Sequence, residues 1–187
     1  AYGAEDLKYD MNSISFDRFS NWLETEYKIF FESRSSQSFK SLNPTFKLIL
    51  LDEDSFPSES IDSRLMGLNY NNIFLRNWYS GPDRFLNQDR IILGIEHQSI
   101  DLQNNSNSNF SIGKAFFLKD EYTIDVKNKR TSPLLVEFEQ QLNNNFFANG
   151  MLEIESDFNK VYSSSLGLIY EQDENKRIEL RSIYKRF

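Results

Sequence analysis

Runs of about ten residues that alternate between apolar and polar positions recur along this chain, each closed by a polar turn. In "FSNWLETEYKIFFES", Leu23, Thr25, Tyr27, Ile29 and Phe31 share one side, and Glu24, Glu26 and Lys28 share the other. A period of two with this contrast predicts a strand with one apolar and one wet face. "LNPTFKLILL" repeats it, with Leu42, Pro44, Phe46, Leu48 and Leu50 opposite Asn43, Thr45 and Lys47. Pro44 has no N–H for a ladder, so it is expected at a strand start or a bulge. "RIILGIEHQSID" sets Ile91, Leu93 and Ile95 against Gly94, Glu96 and Gln98. "NFSIGKAFFLKD" sets Phe110, Ile112, Phe116 and Leu118 against Ser111, Gly113 and Ala115. Four more runs follow: 133–142 with Glu137 and Glu139 polar, 146–157 with Glu153 and Glu155 polar, 161–172, and 177–187 with Arg181 polar.

The pattern predicts an all-β protein: an antiparallel meander of eight or nine long strands, with 67–76 the candidate for the ninth, and negligible helix. The runs approach the ~9–11 residues that a tilted strand needs to cross a bilayer. Connections at 34–39, 102–109, 143–145 and 172–176 are short, and those at 52–89 and 120–132 are long, although 157–160 breaks the alternation. Short turns at one end and long loops at the other are the layout of an outer-membrane barrel. Aromatics gather near strand ends, at Trp22, Phe31, Phe116, Phe117, Phe146, Phe147, Tyr162, Tyr170 and Tyr184, as interfacial girdles would. Leu23, Ile29, Leu48, Leu93, Ile95, Val136, Phe138, Leu152, Ile154, Leu166, Leu168 and Leu180 are then expected on a convex, lipid-facing side. Glu24, Glu26, Glu96, Glu137, Glu139, Glu153, Glu155 and Arg181 are expected to line a lumen. A soluble β-sandwich alternates too, but its strands are shorter, around 5–6 residues.

Closure is decided by charge. An eight-stranded barrel has an interior just wide enough for side chains to fill. The many charged residues of the polar face would be forced together there and desolvated. An open, curled sheet is therefore expected, with edges near 19–33 and 177–187. The chain is read as one partial barrel domain spanning 1–187, an internal portion of something longer.

Composition sharpens this reading in a few places. Of 187 residues, 39% are hydrophobic but 15% are aromatic, with 17 Phe and 9 Tyr. A disordered chain is poor in aromatics, whereas a pleated surface accommodates them. Only seven Gly and four Pro are present, so Asn and Ser are expected to make the turns, as in "LQNNSNSNF" and "LNNNF". A net charge of −7 disfavours nucleic acid. No cysteine is present, so there is neither a disulfide nor a thiolate metal site.

Chemistry-bearing clusters are few. The stretch from Asn77 to Arg90, with Arg76 just before it, sets Asp83, Arg84 and Asp89 around Gly81-Pro82. It fits either a folded lid pinned by ion pairs or a plain turn with solvated charges, and residue types alone favour the turn. Glutamates two apart repeat along a strand face and suit a wet lining far better than acid–base catalysis. Asp52, Glu53 and Asp54 lack the glycine and distal glutamate of an EF-hand loop. His97, the single histidine, has no second nitrogen or thiolate ligand for zinc. No catalytic fingerprint occurs, and no metal or cofactor is expected.

One stretch carries more. "NNIFLRNWYSGPDRFLNQDRIILGIEHQSID" resembles the barrel domain of the LptD (OstA/Imp) family of LPS-assembly proteins, which has an N-R-F/Y-S-G-x-D-R loop before a strand. Asn77, Ser80, Gly81, Asp83 and Arg84 match, Tyr79 holds the aromatic place, and Asn87-Gln88 falls where the family often has Asn-Gln. Trp78 departs from the usual Arg. "FSIGKAFFLKD" looks like the family's S-I-G-Q-x-Y-Y-F strand, with Lys114 for Gln. The resemblance runs from about Pro44 to Phe187; residues 1–43 fit only as generic barrel strands. It implies a very large barrel, of which this chain supplies about a third of the strands, without the family's periplasmic jellyroll. The barrel would receive lipopolysaccharide from a periplasmic bridge and release it to the outer leaflet of a Gram-negative outer membrane. The loop would fold over or into it, and the implied partners are the plug lipoprotein LptE, the bridge proteins and outer-membrane lipids. A general porin or transporter barrel and a soluble binding module remain as alternatives.

Overall fold

Ten strand segments make one antiparallel sheet in this computed structural model, which describes residues 2–11, 14–51, 66–78, 88–118, 130–155, 159–173 and 176–186. The segments are β1 (Tyr2–Met11), β2 (Ile14–Lys28), β3 (Phe31–Arg34), β4 (Ser38–Leu51), β5 (Arg90–Asp101), β6 (Ser106–Phe117), β7 (Leu134–Gln141), β8 (Phe146–Ile154), β9 (Val161–Asp173) and β10 (Lys176–Lys185). Each pairs with its sequence neighbours, except that β2 and β3 both pair with β4. In a meander of this kind consecutive strands are also neighbours in space.

β2 and β3 are one strand with an interrupted ladder. Lys28 faces Thr45 and Phe31 faces Leu42, so the register continues unchanged across the gap. The gap lies opposite Pro44, whose carbonyl accepts from Ile29 N at 3.0 Å but whose nitrogen has nothing to return. Pro44 thus sits in mid-strand, at a ladder break rather than at a strand start.

The sheet is open: among the described residues no pairing joins β1 to β10. β10 is an edge, as the charge argument required. The other edge is β1, not the strand near 19–33, because β2 is paired on both sides. The expected ninth strand at 67–76 does not exist. That stretch holds the single helical turn α1 (Tyr70–Ile73), because Asn69 and Asn72 bond reciprocally to each other's backbone N–H in a capping box.

The long connections, 52–89 and 118–133, leave the same end of the sheet as 155–160, while the turns at 35–37, 102–105, 142–145 and 174–175 lie at the other end. Asn and Ser make turns as expected, and Asp101 joins them. Asn105 has a φ of 46°, a left-handed conformation that Asn tolerates. Asp101 accepts from the backbone of Gln103 and Asn104, and Asn143 from that of Asn145 and Phe146. Ser35 Oγ accepts from Ser38 N at 3.0 Å.

Register sorts side chains onto two faces. On the open face, Leu23, Leu48, Leu93, Ile95, Val136, Phe138, Leu152, Ile154, Leu166, Leu168 and Leu180 all fall as the alternation predicts, with Ile29 in line. These apolar side chains are unusually bare: Leu180 is 67% exposed and Leu168 48%. The opposite, covered face carries Glu24, Glu26, Glu96, Glu137, Glu139, Glu153 and Arg181. Some aromatics expected in girdles belong to it instead. Trp22, Phe117 and Phe147 lie on the covered face, whereas Phe31, Phe116, Phe146, Tyr170 and Tyr184 lie on the open one. Strand ends bring aromatics near an interface, but parity decides which way they face.

Candidate functional site

The covered face is not uniformly polar. Near the long-connection end, Ile49, Ile92, Ala115 and Leu135 from four successive strands are each fully buried. Residues 66–78 close over them. Ile73 and Trp78 complete the cluster, with Leu51, Leu68, Phe74 and Phe117 packed around it. Burial of such side chains stabilises by roughly 1.5–3 kcal/mol each, enough to hold a short loop on a sheet.

The segment is closed on itself. Met66 N donates to Trp78 O at 2.8 Å, so its ends meet in the manner of an Ω-loop. Asn72 Nδ2 donates to Gly67 O, and Trp78 Nε1 to Ile73 O at 3.1 Å. Three contacts then fix it to the wall. First, Tyr70 lies across the paired Gly94 and Gly113, where a Cβ would come within 2.8 Å and 3.1 Å of its ring and hydroxyl atoms. Only a strand without side chains there admits the ring so close. Second, Tyr70 N donates to Glu137 Oε1 at 2.7 Å. Third, Arg90, fully buried at the start of β5, donates to the carbonyls of Leu75 (2.8 Å), Arg76 and Gln88 (3.1 Å). Its guanidinium lies 5.1 Å from the Trp78 ring centroid, and that ring meets Phe117 edge-on. Arg76 adds a stacking contact, 3.8 Å above Trp22. Burial, with Glu96 nearby, pushes the Tyr70 hydroxyl above its usual range, so it stays protonated beside Thr45.

Away from this patch the covered face is wet and paired. Lys47, its side chain only 9% exposed, bridges Glu24 and Glu26. Lys28 pairs with Glu96 across the sheet. Glu153 accepts from Ser163 Oγ at 2.6 Å, Glu155 from the Tyr162 hydroxyl at 3.0 Å, and Arg181 donates to Glu179 at 2.9 Å. A hollow of about 330 Å³ opens beside Tyr70, lined by Asn43, Glu96, Gln98, Asn109, Glu137 and Glu139. A second, of about 360 Å³, lies among Asn107, Asn149, Glu171 and Arg177. Such a surface can hydrogen-bond a polar, hydroxyl-rich molecule.

Of the loop motif, Asn77 and Gln88 are described. Asn77 lies beside Trp78, and buried Gln88 presents its carbonyl to Arg90. Tyr79, Ser80, Gly81, Asp83, Arg84 and Asn87 lie outside the described residues, as do Asp52, Glu53 and Asp54. Asp89 ties two strand ends together: its Oδ1 accepts from Leu51 N at 2.8 Å and its carbonyl from Leu118 N at 2.9 Å. His97 lies on the open face and bonds Ser41 O through Nδ1 at 2.8 Å. The residues that seat the segment, Tyr70, Trp78, Arg90, Gly94 and Gly113, were missed from sequence. Their one signal was two glycines inside strands, at positions that the alternation assigns to the polar face.

A family model described as LptD, LPS transport system D, matches residues 9–186. Curated relatives named LPS-assembly protein LptD align with most of the chain. The one from Shewanella oneidensis is 24% identical over 91% of this chain and 22% of its own length. That from Pseudoalteromonas atlantica is 22% identical over 93% and 22%. That from Pseudomonas savastanoi pv. phaseolicola is 24% identical over 88% and 18%. The chain thus spans about a fifth of the length of the relatives it matches.

Proposed function

The chain belongs to the LPS transport system D family, and from that premise we propose that it forms part of the wall of a barrel that delivers lipopolysaccharide to the outer leaflet of a Gram-negative outer membrane. The open face meets lipid, and the covered face lines the lumen. Glu24, Glu26, Glu96, Glu137, Glu139, Glu153, Glu155 and Arg181 keep that lumen wet for a polar cargo. The stretch through Asn77, Tyr79, Ser80, Gly81, Asp83, Arg84, Asn87 and Gln88 continues the seated segment as a gate at the long-connection end, which is extracellular in such barrels. The plug lipoprotein LptE and the periplasmic bridge proteins are its partners, and further strands complete the ring at β1 and β10. The protein acts by transport, not by catalysis.

The observation that carries this reading is the contrast between the two faces of one sheet. Exposed Leu, Ile and Phe fill one face, while ion pairs, amides and a seated loop fill the other. A soluble sandwich would bury the first face. The porin alternative has no observation in its favour over this one. The test is depletion of the protein in its host, with newly made lipopolysaccharide at the cell surface as the readout. Loss of surface delivery is expected within a few generations. Undiminished delivery would sink the proposal, and ion conductance alone, with delivery intact, would favour a channel.

A further inference from the structure

We infer that Arg90 is a positioning residue for delivery: its guanidinium joins the two ends of the stretch 77–88, and with Asp89 it forms one knot at the bases of both long connections. The inference rests on the transport reading above and deepens it by naming the residue that sets where the loop motif is attached to the wall.

The acceptors carry it. The carbonyls of Leu75, at 2.8 Å, and of Arg76 come just before the stretch, and that of Gln88, at 3.1 Å, closes it. Strand pairing alone brings Leu51 and Asp89 near each other, because β4 and β5 are adjacent. Pairing does not return Leu75 and Arg76, well inside the same connection, to its exit; the guanidinium does. All three acceptors are main-chain carbonyls, so Arg90 fixes the path of the backbone rather than a partner side chain. A planar fork of five N–H donors suits that task, whereas an ammonium is a single point.

The surroundings are the second observation. Arg90 is fully buried, in register between Ile49 and Phe117 on the covered face, with the Trp78 ring centroid 5.1 Å away. Its Nε has no hydrogen-bond partner. A cation set among apolar groups is costly, and a well-packed apolar side chain fills such a place at less cost. An apolar side chain cannot bind three carbonyls. Asp89 extends the knot. Its Oδ1 accepts from Leu51 N at 2.8 Å, where the chain leaves β4, and its carbonyl from Leu118 N at 2.9 Å, where the chain leaves β6. Phe117 N donates to Arg130 O at 2.8 Å and closes the base of the second connection.

The experiment compares the full-length protein with its Arg90→Lys variant, which keeps the charge but not the fork. Gln88 and Asp89 are consecutive, so freeing the Gln88 carbonyl loosens both acceptors of Asp89. Hydrogen exchange in detergent micelles should quicken roughly ten-fold together at the amides of Met66, Leu51 and Leu118, the size of one lost bond to a charged group. Exchange in β8 and β9 should not change. In host cells depleted of the parent protein, Arg90→Lys should reach the outer membrane at the normal level and lose most surface delivery of lipopolysaccharide. Quickening at Met66 alone would overturn the knot, and quickening that spreads to β8 and β9 would show a role in global stability instead. Normal delivery with all three amides loosened would overturn the positioning role. Delivery that does not depend on the unaltered protein would sink the transport reading, while the exchange pattern would still stand or fall by itself.

Discussion

Two regions of the covered face are built from the same alternating strands and behave in opposite ways. At the long-connection end of β4–β7, the polar-face parity delivers Ile49, Ile92, Ala115 and Leu135, and residues 66–78 seal them from water. Across β8–β10, the same parity delivers Glu153, Asn149, Glu179 and Arg181, which bond mainly to near neighbours and stay accessible. Every side chain of β10 is exposed. The difference teaches that a face of one sheet is not one environment. Where a loop brings its own apolar groups, the wall becomes a small core; elsewhere it remains a wet surface.

The sharpest way to break this comparison is at the buried cation. Arg90→Met should cost about 3 kcal/mol of unfolding stability, because it strands the buried carbonyl of Gln88 and the part-buried carbonyls of Leu75 and Arg76. Denaturant titration in detergent micelles measures it. A cost under about 1 kcal/mol would mean that the segment is held by apolar burial alone.

Glycines give the next contrast. An added Cβ at Gly94 would lie 2.5 Å from Phe74 and 2.8 Å from the Tyr70 hydroxyl, so Gly94→Ala should dislodge the segment at about 2 kcal/mol. At Gly167 the clash is with the end of the Asn149 side chain, which can swing away, so Gly167→Ala should cost less than about 0.5 kcal/mol. Protease sensitivity of residues 66–78 should rise only in the first variant. Equal sensitivity in both would dissolve the distinction between the two regions.

Smaller still is Glu137→Gln. The backbone N–H of Tyr70 would keep an acceptor but lose its charge, for a loss of about 1 kcal/mol. Hydrogen exchange at the Tyr70 amide should quicken several-fold, and unchanged exchange would remove Glu137 from the set of anchors. The smallest effect belongs to the wet region. Arg181→Ala should change stability by less than about 0.5 kcal/mol, since its partner Glu179 is an exposed neighbour on the same strand. A loss above about 1 kcal/mol there would show that β10 is covered by something in the intact protein.

What the sequence determined by itself was everything governed by a period of two. Strand positions, the two faces and the open edge at β10 follow from neighbours along the chain, and backbone geometry turns alternation into faces wherever a strand forms. The same locality limited it at 19–33: nothing in β2 says whether another strand lies beyond it, and β1 does. Tertiary structure alone decided the fate of residues 66–78. Their apolar positions mimic a strand, yet the capping box turns the chain. Tyr70 then meets Gly94, Gly113 and Glu137, the last 67 residues away. Lys47 shows the same limit. It reads as one more solvated charge, and it is buried because Glu24 and Glu26 of the adjacent strand enclose its ammonium. Contacts between residues so far apart leave no periodic trace, because what stabilises them is shape and charge met in space rather than order along the chain.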